Sequence, residues 1–137
     1  MIEGGELLAR LRNVRVLLLE DDALISADAE DMLAARGAQV LVAHTNEAAR
    51  SLLDCEEIEI AVLDRGIGTD TSDPVARLLQ QRAIPFVFAS GYSDGSNAPD
   101  DLRDVPHVQK PYSEETLIAA VSAVLGLSEP EDVPDHR

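Results

Sequence analysis

The feature that most constrains the fold is an alternation of short, fully apolar segments with amphipathic ones. Residues 14–19 are a nearly continuous run of Val and Leu, as expected of a strand buried on both faces of a parallel sheet. The apolar residues that follow recur with helical spacing, at i, i+4, i+7 and i+8: Ile25, Ala29, Met32 and Leu33. This part of the chain therefore predicts a strand and then a helix, which Gly37 can end.

The same alternation continues along the chain. Four further strands are predicted, at residues 39–43, 58–63, 84–89 and 105–109. Three residues suit the starts of helices: Thr45, Pro74 and Ser113. Residues 91–99 are rich in Ser, Asp, Gly and Asn, and predict a short or irregular fourth helix. Five strands alternating with five helical stretches predict an α/β fold, a doubly wound five-stranded parallel sheet.

Length and charge limit the organisation and the partners. The 137 residues suit one domain, so we expect an N-terminal extension at 1–13, the domain at 14–126 and an acidic disordered tail at 127–137. The net charge of −15 disfavours binding to nucleic acid or to anionic membranes. With one cysteine and no apolar run of about 20 residues, we expect a cytoplasmic protein.

Polar residues follow the predicted strands directly. They are Glu20, Asp21 and Asp22 after the first strand, Asp64 after the third, Ser90 at the end of the fourth and Lys110 after the fifth. Ligands bind beyond the carboxyl ends of parallel strands, which lie about 4.8 Å apart, so these side chains can converge. Converging carboxylates repel one another unless a cation holds them, which favours Mg²⁺. Helix capping is the expected role of Asp22.

Lys110 and Ser90 suit contacts with a phosphoryl group. Lys110 is the only lysine, while the ten other basic residues are all arginine. A compact, flexible ammonium suits a single phosphate oxygen better than the planar fork of arginine. The Ser90 hydroxyl could donate to a phosphoryl oxygen, or Ser90 could simply begin a turn before Gly91.

Four motifs in this order resemble the receiver domains of bacterial two-component signalling. They are Val-Leu-Leu-Leu-Glu-Asp-Asp (16–22), Ala-Val-Leu-Asp (61–64), Phe-Ala-Ser-Gly (88–91) and Gln-Lys-Pro-Tyr (109–112). The resemblance implies a flavodoxin-like or CheY-like sheet with strand order 2-1-3-4-5. It also implies that Asp64 is the phosphoacceptor and that Ser90 and Lys110 contact the phosphoryl group. The implied Mg²⁺ ligands are Glu20, Asp21, Asp64 and the carbonyl of Gly66.

A narrower likeness concerns residues 85–92, Pro-Phe-Val-Phe-Ala-Ser-Gly-Tyr, which are similar to the signature of single-domain regulators called FAT GUY, with Ser90 in place of Thr. We therefore expect a stand-alone regulator, a monomer or weak dimer, that is not a turnover enzyme. Its expected partners are a histidine kinase or phosphotransfer protein and a downstream protein.

One alternative is a pseudo-receiver that is never phosphorylated. Another is a phosphatase of the haloacid-dehalogenase type, which would need an acid where this chain has Gly66.

Three residues depart from the receiver pattern or have an open role. His107 stands where most receivers have an aromatic switch residue, and it could swing, titrate or simply lie at a strand edge, which is the favoured interpretation. Tyr92 is the other switch candidate. Arg65, beside the acceptor, could attract a phosphodonor, pair with Asp21 or be a solvated loop residue.

Overall fold

The computed structural model describes residues 10–91 and 99–126. Seven strands occur in these residues: β1 (Arg15–Leu19), β2 (Gln39–Ala43), β3 (Ile60–Asp64), β4 (Gly66–Ile67), β5 (Asp70–Thr71), β6 (Phe86–Ser90) and β7 (His107–Gln109). The same residues contain four α-helices and a 3₁₀ helix: α1 (Ala23–Ala34), α2 (Asn46–Cys55), α3 (Asp73–Gln81), α4 (Glu114–Leu125) and the 3₁₀ helix Asp100–Leu102.

Five of the strands form one parallel sheet in the order β2-β1-β3-β6-β7. With the short β4 and β5 set aside, this is the predicted order 2-1-3-4-5, so the fold class is confirmed. The second predicted strand, 39–43, coincides with β2, and the other four differ from the observed strands by one or two residues at their ends. The third, expected at 58–63, is Ile60–Asp64.

The central strands β1, β3 and β6 are largely apolar because each face of the sheet is covered by helices. On one face, Leu17 and Leu63 belong to a core cluster that also contains residues of α2 and α3. On the other face, Leu18 and Val62 belong to a second cluster with residues of α1 and α4. Polar groups of these strands can therefore reach solvent or a ligand where the strands end.

Side chains cap three of the helices as predicted. Asp22 accepts from the backbone N–H groups of Leu24 and Ile25 (2.9 and 3.0 Å), which confirms its expected role at the start of α1. Thr45 caps α2 and Ser113 caps α4 in the same way. These bonds satisfy N–H groups that have no partner within the helix. These bonds therefore stabilise the first turns of α1, α2 and α4.

The segment after Asp64 forms a short hairpin that was not predicted. Gly66–Ile67 pairs with Asp70–Thr71 as an antiparallel β-hairpin, with Gly68 in the turn at a φ of 60°. Strands of two residues are too short to show an apolar alternation, so the sequence could not reveal them.

Several predicted segments lie wholly or partly outside the described residues. Most of the predicted fourth helix does, since residues 92–98 are not described, and the tail at 127–137 lies wholly outside. Leu11, within the predicted extension, is fully buried against α1 and α4. The domain boundaries stay predictions. Among the described helices, none has the length and apolarity needed to cross a membrane.

We predict that Gly37→Ala destabilises the domain by about 1–3 kcal/mol, because a non-glycine residue is strained at its φ of 93°. A Cβ there would also lie 2.7 Å from the Cα of Arg12. Urea unfolding measures the effect. Gly126→Ala is the matched control, since Gly126 has a φ of 78° but open space around a Cβ. Equal losses in the two variants would show that the contact with Arg12 contributes nothing.

Candidate functional site

Three carboxylates converge at the C-terminal edge of the sheet. Strands β1 and β3 are neighbours in which Leu19 pairs with Leu63, so Glu20 and Asp64 lie side by side one residue later. One carboxylate oxygen from each of Glu20, Asp21 and Asp64 lies within 4.8 Å of the others. Glu20 and Asp64 are buried, with 2% and 7% of their surface exposed, whereas Asp21 is exposed. The predicted acidic cluster is therefore present.

Lys110 joins two of these carboxylates. Its Nζ lies 2.9 Å from Oε1 of Glu20 and 3.2 Å from Oδ2 of Asp64. The residue directly follows β7, and its backbone N–H donates to the carbonyl of Ser90 at 2.8 Å. One ammonium therefore lies between two buried carboxylates.

The charges of the three carboxylates are not equivalent. Burial and the adjoining Glu20 together raise the pKa of Asp64 to about 7, although Lys110 lowers it. The pKa of Asp21 is lowered, chiefly by the Gly68 N–H, which donates to its Oδ2 at 2.8 Å. Burial lowers the pKa of Lys110, but its bonds to Glu20 and Asp64 outweigh this and raise it. Near neutral pH, Asp64 is thus the carboxyl group whose charge depends on what binds beside it.

Ser90 and Gly66 lie at the same edge. Ala89 pairs with Asp64 in the sheet, so Ser90 lies one position beyond the level of the acceptor. Gly66 is exposed, two residues after Asp64, in strand β4. The structure thus brings all the predicted metal and phosphoryl residues to one edge, and their individual roles stay predictions.

Two contacts of the cluster were not predicted. The backbone N–H of Asp22 donates to Oε2 of Glu20 at 3.0 Å, and Nδ1 of His44 lies 2.9 Å from the carbonyl oxygen of Glu20. With the Lys110 contact, these bonds fix Glu20 in place. His44 follows β2 directly, and this position after a strand is the signal that could have suggested it.

Arg65 forms an ion pair that differs from the predicted one. Its guanidinium forms two hydrogen bonds with Asp73, Nε to Oδ1 at 3.0 Å and NH2 to Oδ2 at 3.1 Å, so its bidentate ion pair is with Asp73 rather than with Asp21. The side chain is only 15% exposed, so the prediction of a solvated loop residue is wrong. Asp73 is the first residue of α3, and only the folded hairpin brings it close. A role in attracting a phosphodonor stays a prediction.

The amino-acid sequence of the chain is similar to that of a known transcriptional regulatory protein. No protein-family model matches the chain. Over 115 residues it is 28% identical to the transcriptional regulatory protein CpxR of Klebsiella pneumoniae, a match that covers 81% of this chain and 49% of CpxR. The chain thus spans about half the length of the curated relatives that it matches.

Three solved structures are similar to the chain. The receiver domain protein (CheY-like) from Methanospirillum hungatei has a TM-score of 0.73 at 19% identity, covering 83% of this chain and 94% of that one. A response regulator from Burkholderia pseudomallei, with a phosphorylated aspartic acid, calcium ion and citrate, has a TM-score of 0.71 at 22% identity, covering 83% and 69%. SdrG from Sphingomonas melonis is 32% identical with a TM-score of 0.70, covering 82% and 97%. The chain belongs to the CheY-like response regulator receiver domains.

Receiver domains are signalling domains of two-component systems, generally without enzymatic turnover, and they bind Mg²⁺ at an acidic pocket. This receiver domain has an acidic cluster formed by Glu20, Asp21 and Asp64. The narrower FAT GUY likeness stays a prediction, because its motif extends to Tyr92, which lies outside the described residues.

His107, the other switch candidate, lies at the edge of the receiver sheet. It begins the edge strand β7 and is half-buried, with its ring 5.2 Å from that of Phe88 on β6. Its Nδ1 lies 3.3 Å from the carbonyl oxygen of Val105. This arrangement agrees with the favoured interpretation as a strand-edge residue, and whether either His107 or Tyr92 moves stays open to experiment.

We predict that the metal-free domain loses stability as the pH rises. The folded-state pKa of Asp64, about 7, exceeds the ordinary value of 3.8, so between these values the folded state binds more protons than the unfolded state. Asp64→Asn cannot ionise, and should raise the free energy of unfolding at pH 8 by roughly 1–3 kcal/mol while changing it little at pH 4. Urea unfolding in chelated buffer measures this difference. Equal effects at both pH values would contradict it.

Proposed function

We propose that this receiver domain accepts a phosphoryl group on Asp64 from a histidine kinase or phosphotransfer protein, with Mg²⁺ bound, and signals through protein contacts. The observation that carries the proposal is the position of Lys110, whose Nζ lies between Glu20 and Asp64. An ammonium in this position can contact the Asp64 carboxylate before phosphorylation and the attached phosphoryl group afterwards. A purely structural ion pair would need only one of the two carboxylates.

The donor set fits Mg²⁺. Three carboxylates within 4.8 Å of one another offer hard oxygen ligands, and the single ammonium of Lys110 carries too little charge to balance them. We assign Asp21 as the most direct ligand because it is exposed and its charged form is favoured. Asp64 and the Gly66 carbonyl would be further ligands. Glu20 would be the second member of the metal-binding acidic pair, less direct than Asp21. When bound, Mg²⁺ supplies positive charge for phosphoryl oxygens.

The transfer itself requires the ionised form of Asp64. A carboxylate oxygen of Asp64 forms a new P–O bond while the P–N bond of the donor phosphohistidine breaks. The leaving imidazole nitrogen keeps the electron pair of that bond. Lys110 then contacts an oxygen of the phosphoryl group in place of the Asp64 carboxylate, and the Ser90 hydroxyl donates to another.

Protein contact is the expected route for the signal. An apolar cleft of about 440 Å³ adjoins Lys110 and is lined by Ile25, Met32, Pro111 and Tyr112 among others. Leu24, on the same helix as Ile25, is 80% exposed. These apolar groups beside the acceptor suit a protein partner, and the net charge of −15 disfavours direct contact with nucleic acid. The stand-alone organisation expected from the sequence stays a prediction.

We predict that acetyl phosphate adds one phosphoryl group to the wild-type domain only when Mg²⁺ is present. Intact-mass measurement detects the addition, and Asp64→Asn should abolish it because the acceptor oxygen is lost. Asp70→Asn is a matched control, because Asp70 lies in the nearby hairpin, in strand β5, but outside the carboxylate cluster. It should be labelled like the wild type.

The outcomes separate the alternatives. Labelling that persists in Asp64→Asn would assign the acceptor to another residue. Absence of labelling from both acetyl phosphate and a phosphorylated histidine kinase, in a protein that binds Mg²⁺, would contradict the proposal and favour the pseudo-receiver alternative.

A further inference from the structure

We propose that Arg65 and Asp73 form a clamp that positions the β4–β5 hairpin over the carboxylate cluster and thereby sets the affinity for Mg²⁺. The inference rests on the proposed function, because it concerns the same metal site. In it, Arg65 and Asp73 are positioning residues, acting through the hairpin and not by contact with the reacting atoms.

The clamp is held in a largely buried environment. The guanidinium of Arg65 makes its two hydrogen bonds to Asp73 with side-chain exposures of 15% and 11%. Its Cζ also lies 5.6 Å from the centre of the Phe88 ring, and Phe88 is fully buried. Two parallel hydrogen bonds and an aromatic face restrict the guanidinium to one orientation. The clamp is therefore a rigid connection and not a mobile surface pair.

The clamp closes the base of the hairpin. Arg65 immediately precedes β4, and Ser72 and Asp73 immediately follow β5. The backbone N–H of Ser72 donates to the carbonyl of Arg65 at 2.9 Å, and the Arg65 N–H donates to the carbonyl of Ala89 at 2.9 Å. The ion pair adds a side-chain connection between the same two ends. The hairpin is thus anchored both to strand β6 and to the start of α3.

The hairpin reaches the metal site through backbone groups. The N–H of Gly68, in its turn, donates to Oδ2 of Asp21 at 2.8 Å. Gly66, whose carbonyl is the proposed metal ligand, lies in β4. A side chain can change its rotamer when its strand moves, but a backbone group moves with the strand. Any loosening at Arg65 and Asp73 would therefore change the position of groups that contact or hold Asp21.

A second bidentate pair on the same helix provides a matched control. Arg77 of α3 binds Asp101 through Nε and NH2, at 2.9 and 3.3 Å. This pair has side-chain exposures of 45% and 51%, and it connects α3 to the 3₁₀ helix, away from the hairpin. Its removal likewise deletes one arginine and one aspartate, so the net charge is unchanged, and it does not touch the hairpin.

The test replaces both clamp residues by apolar ones, Arg65→Met with Asp73→Leu, because a buried pair replaced as a unit leaves no unpaired charge. Titration with MgCl₂ alone, followed by calorimetry, should show an affinity about tenfold or more below that of the wild type. In NMR spectra of the metal-free protein, the Gly68 amide signal should shift. Arg77→Met with Asp101→Leu should retain the wild-type affinity and the Gly68 signal.

A folded clamp variant with wild-type Mg²⁺ affinity and an unshifted Gly68 amide would overturn the inference. If the double variant does not fold, Arg65→Lys decides in the same way, since it keeps the charge opposite Asp73 but offers no fork. Failure of the proposed function gives a different result. The wild type would then bind Mg²⁺ with the clamp dependence intact, yet take up no phosphoryl group on Asp64.

Discussion

The contact of one ammonium with two buried carboxylates is the interaction on which the site depends. Lys110 lies within 3.2 Å of both Glu20 and Asp64, while Asp21 adds a third carboxylate that Lys110 does not neutralise. Burial and the adjoining Glu20 raise the pKa of Asp64. The three converging carboxylates favour a divalent cation. Binding of metal and addition of a phosphoryl group are both changes in the same local balance of charge.

Parallel topology explains why these residues meet. Glu20, Asp64 and Lys110 are separated from one another by more than forty residues along the chain, but each lies at the C-terminal end of a strand of the same sheet. The central strands β1, β3 and β6 are largely apolar because helices cover both faces, and their polar side chains lie where these strands begin or end. The same arrangement that buries the core therefore collects the charged groups at one edge.

Some of this structure could be predicted from sequence because its signals are local. The strands follow from apolar runs, the caps at Asp22 and Thr45 from residue type and spacing, and the site residues from their places after strands. The hairpin could not be predicted, since its two-residue strands have no periodicity. The partner of Arg65 was also missed, because Asp73 approaches it only once that hairpin has formed.

Binding of Mg²⁺ as a function of pH tests the central claim most directly. Calorimetric titration of the wild type and Asp64→Asn between pH 5 and pH 8 would give the affinities. We predict one ion per wild-type chain, with an affinity that falls roughly tenfold for each pH unit below about 7, because Asp64 must lose its proton. Asp64→Asn should bind more weakly, with little dependence on pH. A wild-type affinity that is independent of pH, or unchanged in Asp64→Asn, would contradict this account of the site.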